Sequence, residues 1–387
     1  MKNKCLPYGK QIIDRSDINA VIEVLKSDYL TTGSKVEEFE KKLAKKVGSN
    51  YAVVVANATA GLHLAVLALD LPKKSEGITS PITFLASSNA MIYSGVKPVF
   101  ADIKADTYNI DPIEISKKIC NNTRLIMPVH FAGQACDMVA IKNIAKKLKL
   151  KVIEDAAHAI GSRYDAGEKV GSCKYSDMTV FSFHPVKTIT TGEGGAITTN
   201  NKQLYEKLKI LRNHGTVKNQ SPRVQKTRPW YYEMKMLGYN YRLTDIQSAL
   251  GISQLDKLAK FILKRKKIIA MYNKAFKNVS WITTPFEKYI GNTSFHLYVL
   301  QINFKQLGKT RAKVMNYLIS KGIGTQVHYI PIHLQPYYKK QYSYKKGDYP
   351  VAESYYKKCL SIPLYPGLTT THINNTIKSI MNIPRYA

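Results

Sequence analysis

The feature that most constrains the fold is an alternation. Between residues 51 and 199, seven short apolar runs at 51–56, 78–82, 98–103, 124–130, 151–155, 178–183 and 196–199 are separated by amphipathic stretches such as 138–148. Runs this short and this apolar read as strands covered on both faces, with the stretches between them serving as helical crossovers. The expectation is an α/β large domain on a mostly parallel sheet, with its functional groups at the carboxyl ends of the strands. Beyond Leu243 a helical pattern runs through Ile246, Leu250, Leu255, Leu258 and Ile262 into a basic run at 264–267. That run reads as a solvated helix face. Segments 295–302 and 324–329, with a helical 311–321, suggest a smaller α+β unit, so the expected division is 1–258 and 259–387.

Composition removes other classes. A chain of 387 residues that is 44% hydrophobic and 10% aromatic can fill two cores and is not expected to be disordered. A bilayer span needs about 20 uninterrupted apolar residues, and the most apolar window, 52–71, is broken by Asn57, Thr59, His63 and Asp70. No membrane partner is expected. The start, MKNKCLP, lacks the apolar stretch of a secretion signal, so a cytoplasmic setting is expected. The five cysteines are scattered and form no C-x-x-C pair, so neither a disulfide framework nor a metal site is called for. Lys and Arg outnumber Asp and Glu by 58 to 27, a net +31. No zinc-finger or RNP signature accompanies that charge, so nucleic acid is not an expected partner; an anionic small substrate would still be attracted by it.

Three groups of residues carry chemistry. The run 151–153 delivers Glu154 and Asp155 to a strand end, followed by the small, apolar Ala156, Ala157 and Ala159 around His158. A second run ends in FSFHPVK, leaving Lys187 at the next strand end, before TITTGEGG at 188–195. An acid and an amine at adjacent strand ends are what a pyridoxal phosphate (PLP) site requires, the lysine as Schiff base and the carboxylate on the pyridinium nitrogen. Asp155 as a helix cap and Lys187 as a surface lysine are the plainer alternatives. The run 51–56 leads into NATAG at 57–61 and an apolar helix, so free N–H groups and the Thr59 hydroxyl converge on a natural phosphate site. Capping by Asn57 or Thr59 explains the same residues. Ser182 adds a hydroxyl near that phosphate, and Phe84 is placed either to stack on a pyridine ring or to fill the core.

Taken together, LTTG at 30–33, NATAG, TFLAS at 83–87, VHFAGQ at 129–134, EDAAHA at 154–159, FSFHPVK with TITTGEGG, RNHG at 212–215 and GYNYRLTDIQSALG at 238–251 resemble the DegT/DnrJ sugar-nucleotide aminotransferases. The resemblance covers nearly the whole chain. It implies the PLP-dependent fold-type I, with a seven-stranded large domain and a smaller C-terminal one. By the same resemblance Lys187 carries the Schiff base, Asp155 pairs the pyridinium nitrogen, His158 contacts the ring hydroxyl and Phe84 stacks on the ring. Ala58, Thr59 and Ser182 hold the phosphate, which Asn240 reaches from a second subunit, so a homodimer is implied. LPYGKQ at 6–11, the GYNYRL form and TQVHYIPIH at 325–333 are similar to the branch that serves pseudaminic acid biosynthesis. That branch implies L-glutamate as amino donor, a UDP-linked 4-keto-6-deoxy sugar as acceptor, and substrate contacts at Tyr8, Asp28, Tyr29, Leu30, Thr31, Gln326, Val327, His328 and Tyr329. A UDP-4-keto-pentose is the alternative acceptor, and a basic DNA-binding regulator is the reading from another class.

Overall fold

The computed structural model describes residues 5–218, 226–285 and 292–385. Residues 1–4 of the N-terminal start lie outside them. The chain opens with α1 (Arg15–Leu25) and α2 (Ser34–Val47), and then alternates through β1 (Tyr51–Val55), α3 (Ala58–Ala68), β2 (Glu76–Thr79), α4 (Leu85–Tyr93) and β3 (Lys97–Phe100). It continues through α5 (Pro112–Lys118), β4 (Thr123–Met127), α6 (Met138–Leu148), β5 (Lys151–Asp155), β6 (Met178–Ser182), β7 (Gly195–Thr199) and α7 (Lys202–Arg212).

Those seven strands form one sheet in the order β1-β7-β6-β5-β4-β2-β3. β3, β2, β4, β5 and β6 pair in parallel, and only β7 runs antiparallel to both of its neighbours. The mostly parallel α/β sheet is therefore present. Burial explains the apolar runs: every residue of β6 and β7 is buried, because helices cover both faces. Each fully buried aliphatic or aromatic side chain contributes roughly 1.5–3 kcal/mol. Some boundaries differ from expectation. β2 ends at Thr79, where Pro81 has no N–H to continue the ladder. α3 begins at Ala58, inside NATAG rather than after it, because Asn57 caps it by accepting from the Ala60 N–H at 2.9 Å.

After a small hairpin, β8 (Thr216–Lys218) and β9 (Tyr232–Met234), comes α8 (Asp245–Phe276), started by a Thr244–Gln247 capping box. The rest comprises β10 (Ile282–Thr283), β11 (Tyr298–Ile302), α9 (Arg311–Ser320), α10 (Pro336–Tyr342), α11 (Pro350–Lys358), β12 (Cys359–Ile362) and α12 (Thr370–Met381). β10, β11 and β12 form an antiparallel sheet. α8 serves two cores. Leu255, Leu258 and Phe261 pack under the large sheet, whereas Ile268, Ile269, Tyr272 and Phe276 pack with β11 and β12.

Two readings of this region need correction. Residues 324–329 do not make a strand; Gln326 alone exchanges backbone hydrogen bonds with Ser361, and the rest is loop. The basic run 264–267 is not wholly solvated either. Lys264 and Lys267 are exposed, but Arg265 faces inward and is fully buried, because a helix face three or four residues wide necessarily turns one member of a four-residue run toward the core.

Candidate active site

The carboxyl ends of β1, β5 and β6 open onto one cavity of about 480 Å³. Strand alternation splits the Glu154–Asp155 pair between the two faces of the sheet. Asp155 reaches the cavity, where its Oδ2 accepts from Ser87 Oγ at 2.6 Å and its Oδ1 from the Ala157 N–H at 3.1 Å. Glu154, fully buried, instead accepts from His130 Nε2 at 2.7 Å, Tyr164 Oη at 2.7 Å, Ser176 Oγ at 2.5 Å and Thr179 Oγ1 at 2.9 Å. Burial would raise its carboxyl, but the His130 contact and these hydroxyls hold it below the usual range. Glu154 thus braces the strand end from behind. Asp155 is not a helix cap, since no helix follows it.

Lys187 lines the same cavity. Desolvation lowers its amine from 10.5 to about 8, against an opposing pull from Asp155. It is no surface lysine. His158 is buried beside it, with Nε2 3.1 Å from Tyr329 Oη and a buried Nδ1 that has no partner among the described residues. Burial, then the nearby Lys187 and His328, hold the His158 imidazole neutral, well below its ordinary pKa.

At the other end of the cavity stands the N-terminus of α3. The Ala58 and Thr59 N–H groups have no acceptor among the described residues, since the Asn57 side chain caps only Ala60. Ser182 lies beside them, paired across the ladder with Gly195. A side chain at Gly195 would put a methyl 2.7 Å from the Ala58 nitrogen, so glycine there keeps the helix end against β7. Phe84 settles its own ambiguity. It is 60% exposed and lines the cavity, with its ring 6.2 Å from that of Tyr329, so it is not core. Tyr8, Gln326, Val327 and His328 complete the wall, and the Tyr8 and His328 rings meet edge to face at 5.0 Å. His328 is pushed down to about 3 by burial and by Lys187.

Five residues named from the sequence do not line this cavity. Asp28, Tyr29, Leu30 and Thr31 are exposed, and their segment is tied to the start of α8: Thr31 bridges Thr244, and the Asp245 N–H donates to Leu30 O at 3.0 Å. Asp245 also takes the Gly33 and Lys35 N–H groups, both at 2.8 Å, so LTTG and LTD are structural partners. Asn240 is exposed nearby, bridged to Asn213. Two contributors went unread in the sequence. Ser87 is the last letter of TFLAS, on the helix face turned to Asp155; His296, packed behind His158, has no motif around it to flag it.

An amine near neutrality, a carboxylate 5% exposed, a helix N-terminus with free donors and an exposed aromatic ring fit PLP, and on this sheet they define a fold-type I PLP enzyme. Residues 11–381 match the DegT/DnrJ/EryC1/StrS aminotransferase family, and the chain belongs to it: it is a PLP-dependent sugar aminotransferase. The Bacillus subtilis spore coat polysaccharide biosynthesis protein SpsC is 41% identical over 387 residues, covering 100% of this chain and 99% of that one. The UDP-4-amino-4,6-dideoxy-N-acetyl-beta-L-altrosamine transaminase of Campylobacter jejuni subsp. jejuni serotype O:23/36 is 40% identical over 382 residues, 97% of each chain. Helicobacter pylori PseC, an aminotransferase involved in the biosynthesis of pseudoaminic acid, superposes with a TM-score of 0.92 at 34% identity, covering 99% of this chain and 100% of that one. Spr1654 from Streptococcus pneumoniae in its PMP form gives 0.90 at 28% identity, covering 98% and 99%. It has also been solved in a PLP form. No helix among the described residues is long and apolar enough to cross a membrane.

Proposed function

We propose that the chain transfers an amino group from L-glutamate to C4 of UDP-2-acetamido-2,6-dideoxy-β-L-arabino-hex-4-ulose. The product is UDP-4-amino-4,6-dideoxy-N-acetyl-β-L-altrosamine, on the way to pseudaminic acid. The 40% sequence identity to the Campylobacter transaminase and the likeness to PseC support this choice of sugar. The observation that carries the chemistry is that Lys187 and Asp155 line one cavity at the strand ends, where desolvation lowers the amine to about 8. At pH 7 about one such amine in ten is unprotonated, against about one in 3,000 for an ordinary lysine at 10.5.

When bound, PLP supplies the electron sink that makes a carbon-bound proton removable. Lys187 Nζ would hold the cofactor covalently until the amino group of the donor displaces it; the freed amine would then take a proton from the donor α-carbon and, once the sugar has replaced the keto acid, deliver one to sugar C4. Asp155 would face the pyridinium nitrogen and keep it protonated, while Ser87 keeps that carboxylate aimed. His158 would contact the ring hydroxyl, Phe84 would cover the ring face, and Ala58, Thr59 and Ser182 would hold the phosphate. Asn240 of a second copy reaches the same phosphate. Supporting this, Asn240 is exposed, and Trp230, Tyr232, Met234 and Leu237 expose apolar surface on the same stretch of chain. Tyr8 and 326–329 line the sugar side of the pocket, whereas 28–31 lie outside it in this chain, on the surface beside α8.

The test is kcat/KM with L-glutamate for this hexulose against a UDP-4-keto-pentose. The hexulose should be preferred, by up to about 10⁴-fold where the pentose leaves a hydrogen-bonding group unpaired. A better reaction with the pentose would replace the sugar and leave the amino-transfer chemistry standing.

A further inference from the structure

His158 borders the cavity from the large domain, but much of what holds it comes from the segment just before β11. Its ring lies 4.3 Å from the ring of His296 at 41°, both side chains are buried, and neither Nδ1 has a partner among the described residues. The His296 backbone is gripped from both sides. Its N–H donates to Ala132 O at 2.9 Å, and its carbonyl accepts from Arg265 Nη1 at 3.2 Å. The same guanidinium nitrogen donates to Phe295 O at 3.1 Å and Leu364 O at 2.8 Å.

Phe295 has a φ of +54°, a left-handed conformation that bulky residues rarely adopt and that surrounding bonds must enforce. Next to it, Ser294 Oγ donates to His158 O at 3.2 Å, and the Ser294 N–H donates to Ser162 Oγ at 3.0 Å. Gly133, the glycine of VHFAGQ, makes this junction fit: at its φ of +96° a methyl would lie 2.9 Å from both His158 O and Ser294 Oγ.

Arg265 is also unusual in itself. It is fully buried, its Nε is unpartnered, and no carboxylate offsets it among the described residues; burial brings it down to about 10. A buried cation answered only by carbonyls is costly, and such a residue persists where its geometry matters. The His296 imidazole is driven neutral chiefly by burial, with further pressure from His158, Lys187 and Arg265.

We propose that His296, seated by Arg265, is a positioning residue that fixes the plane and direction of the His158 imidazole at the cofactor pocket. The proposal rests on the reading of His158 as a cofactor contact. At metal sites, outer groups that orient a ligating imidazole are worth roughly 10- to 100-fold in affinity, and a loss of that order is expected here.

The test compares His296→Ala with the ring-preserving His296→Phe in the full chain. Thermal melts confirm folding, and two readouts are taken: the His158 imidazole resonance in histidine-labelled apoprotein, and the dissociation constant of PLP from its visible absorbance. His296→Ala should shift or broaden the His158 resonance and weaken PLP about 10-fold or more, with kcat reduced and KM for glutamate little changed. His296→Phe should restore most of the PLP affinity. An unmoved His158 resonance in His296→Ala would overturn the positioning role. A moved resonance with unchanged PLP affinity would uphold the positioning and overturn the reading of His158 as a cofactor contact.

Discussion

At the residue scale the site turns on Lys187 and the groups around it. Lys187→Ala should abolish turnover while PLP still binds noncovalently, and borohydride reduction of the native protein should attach the cofactor to Lys187 in a peptide map. A reduced adduct on another lysine would remove the assignment. The pH dependence has a definite sign. The amine is lowered to about 8, and only its free base attacks an aldehyde, so PLP uptake by the apoprotein should speed up about tenfold per pH unit below 8 and level off above it. Stopped-flow absorbance would show this, and a rate still rising steeply near pH 10 would return the amine to its ordinary value. Asp155→Asn should keep the fold and bind PLP yet lose most activity, because an amide cannot hold the pyridinium charge. Ser87→Ala, which removes a 2.6 Å hydrogen bond to Asp155, should cost less, on the order of 1.5–3 kcal/mol of transition-state stabilisation read from kcat/KM.

At the element scale the phosphate cradle proposed at the start of α3 depends on how closely that helix meets β7. Gly195→Ala drives a methyl to 2.7 Å from backbone atoms that have little room to move, so it should destabilise by about 1–3 kcal/mol and weaken PLP binding. Paired urea melts and PLP titrations would check both; a variant with native stability and affinity would mean the helix end is not held there. The elements themselves were largely legible in the sequence. The seven apolar runs correspond to the seven strands, because two-sided burial writes a plain signal into a parallel strand, and 138–148 is helical where its amphipathic pattern placed it. Lys187, Asp155 and the α3 N-terminus could be found because each stands at a strand end beside a motif. Arg265 could not. A basic run shows no periodicity of its own, and only the tertiary packing of α8 against the segment at 295–296 reveals which of four cations is turned inward. Residues 324–329 misled for a related reason: the apolar and aromatic residues that imitate a strand are there to line the pocket as a loop.

At the scale of the whole molecule, two cores share one helix, and the pocket collects Tyr8 from the N-terminal arm, Asp155 and Lys187 from the large sheet, and 326–329 from the C-terminal part. On the function proposed above, Asn240 of a second copy would complete this pocket. Mixing Lys187→Ala with Asn240→Ala under conditions of subunit exchange should restore activity in the heterodimer, which would hold one intact site. No recovery, with exchange verified by mass spectrometry, would mean that each chain completes its own site. The central claim is that the nitrogen of glutamate ends on C4 of a UDP-sugar by way of this pocket. The most direct measurement supplies amine-¹⁵N-labelled L-glutamate and the UDP-4-hexulose to the PLP-loaded protein and locates the label in the product by NMR. The expected result is ¹⁵N bonded to sugar C4, with 2-oxoglutarate formed in equal amount; a sugar product without the label, or glutamate left unconsumed while the sugar is aminated, would contradict it.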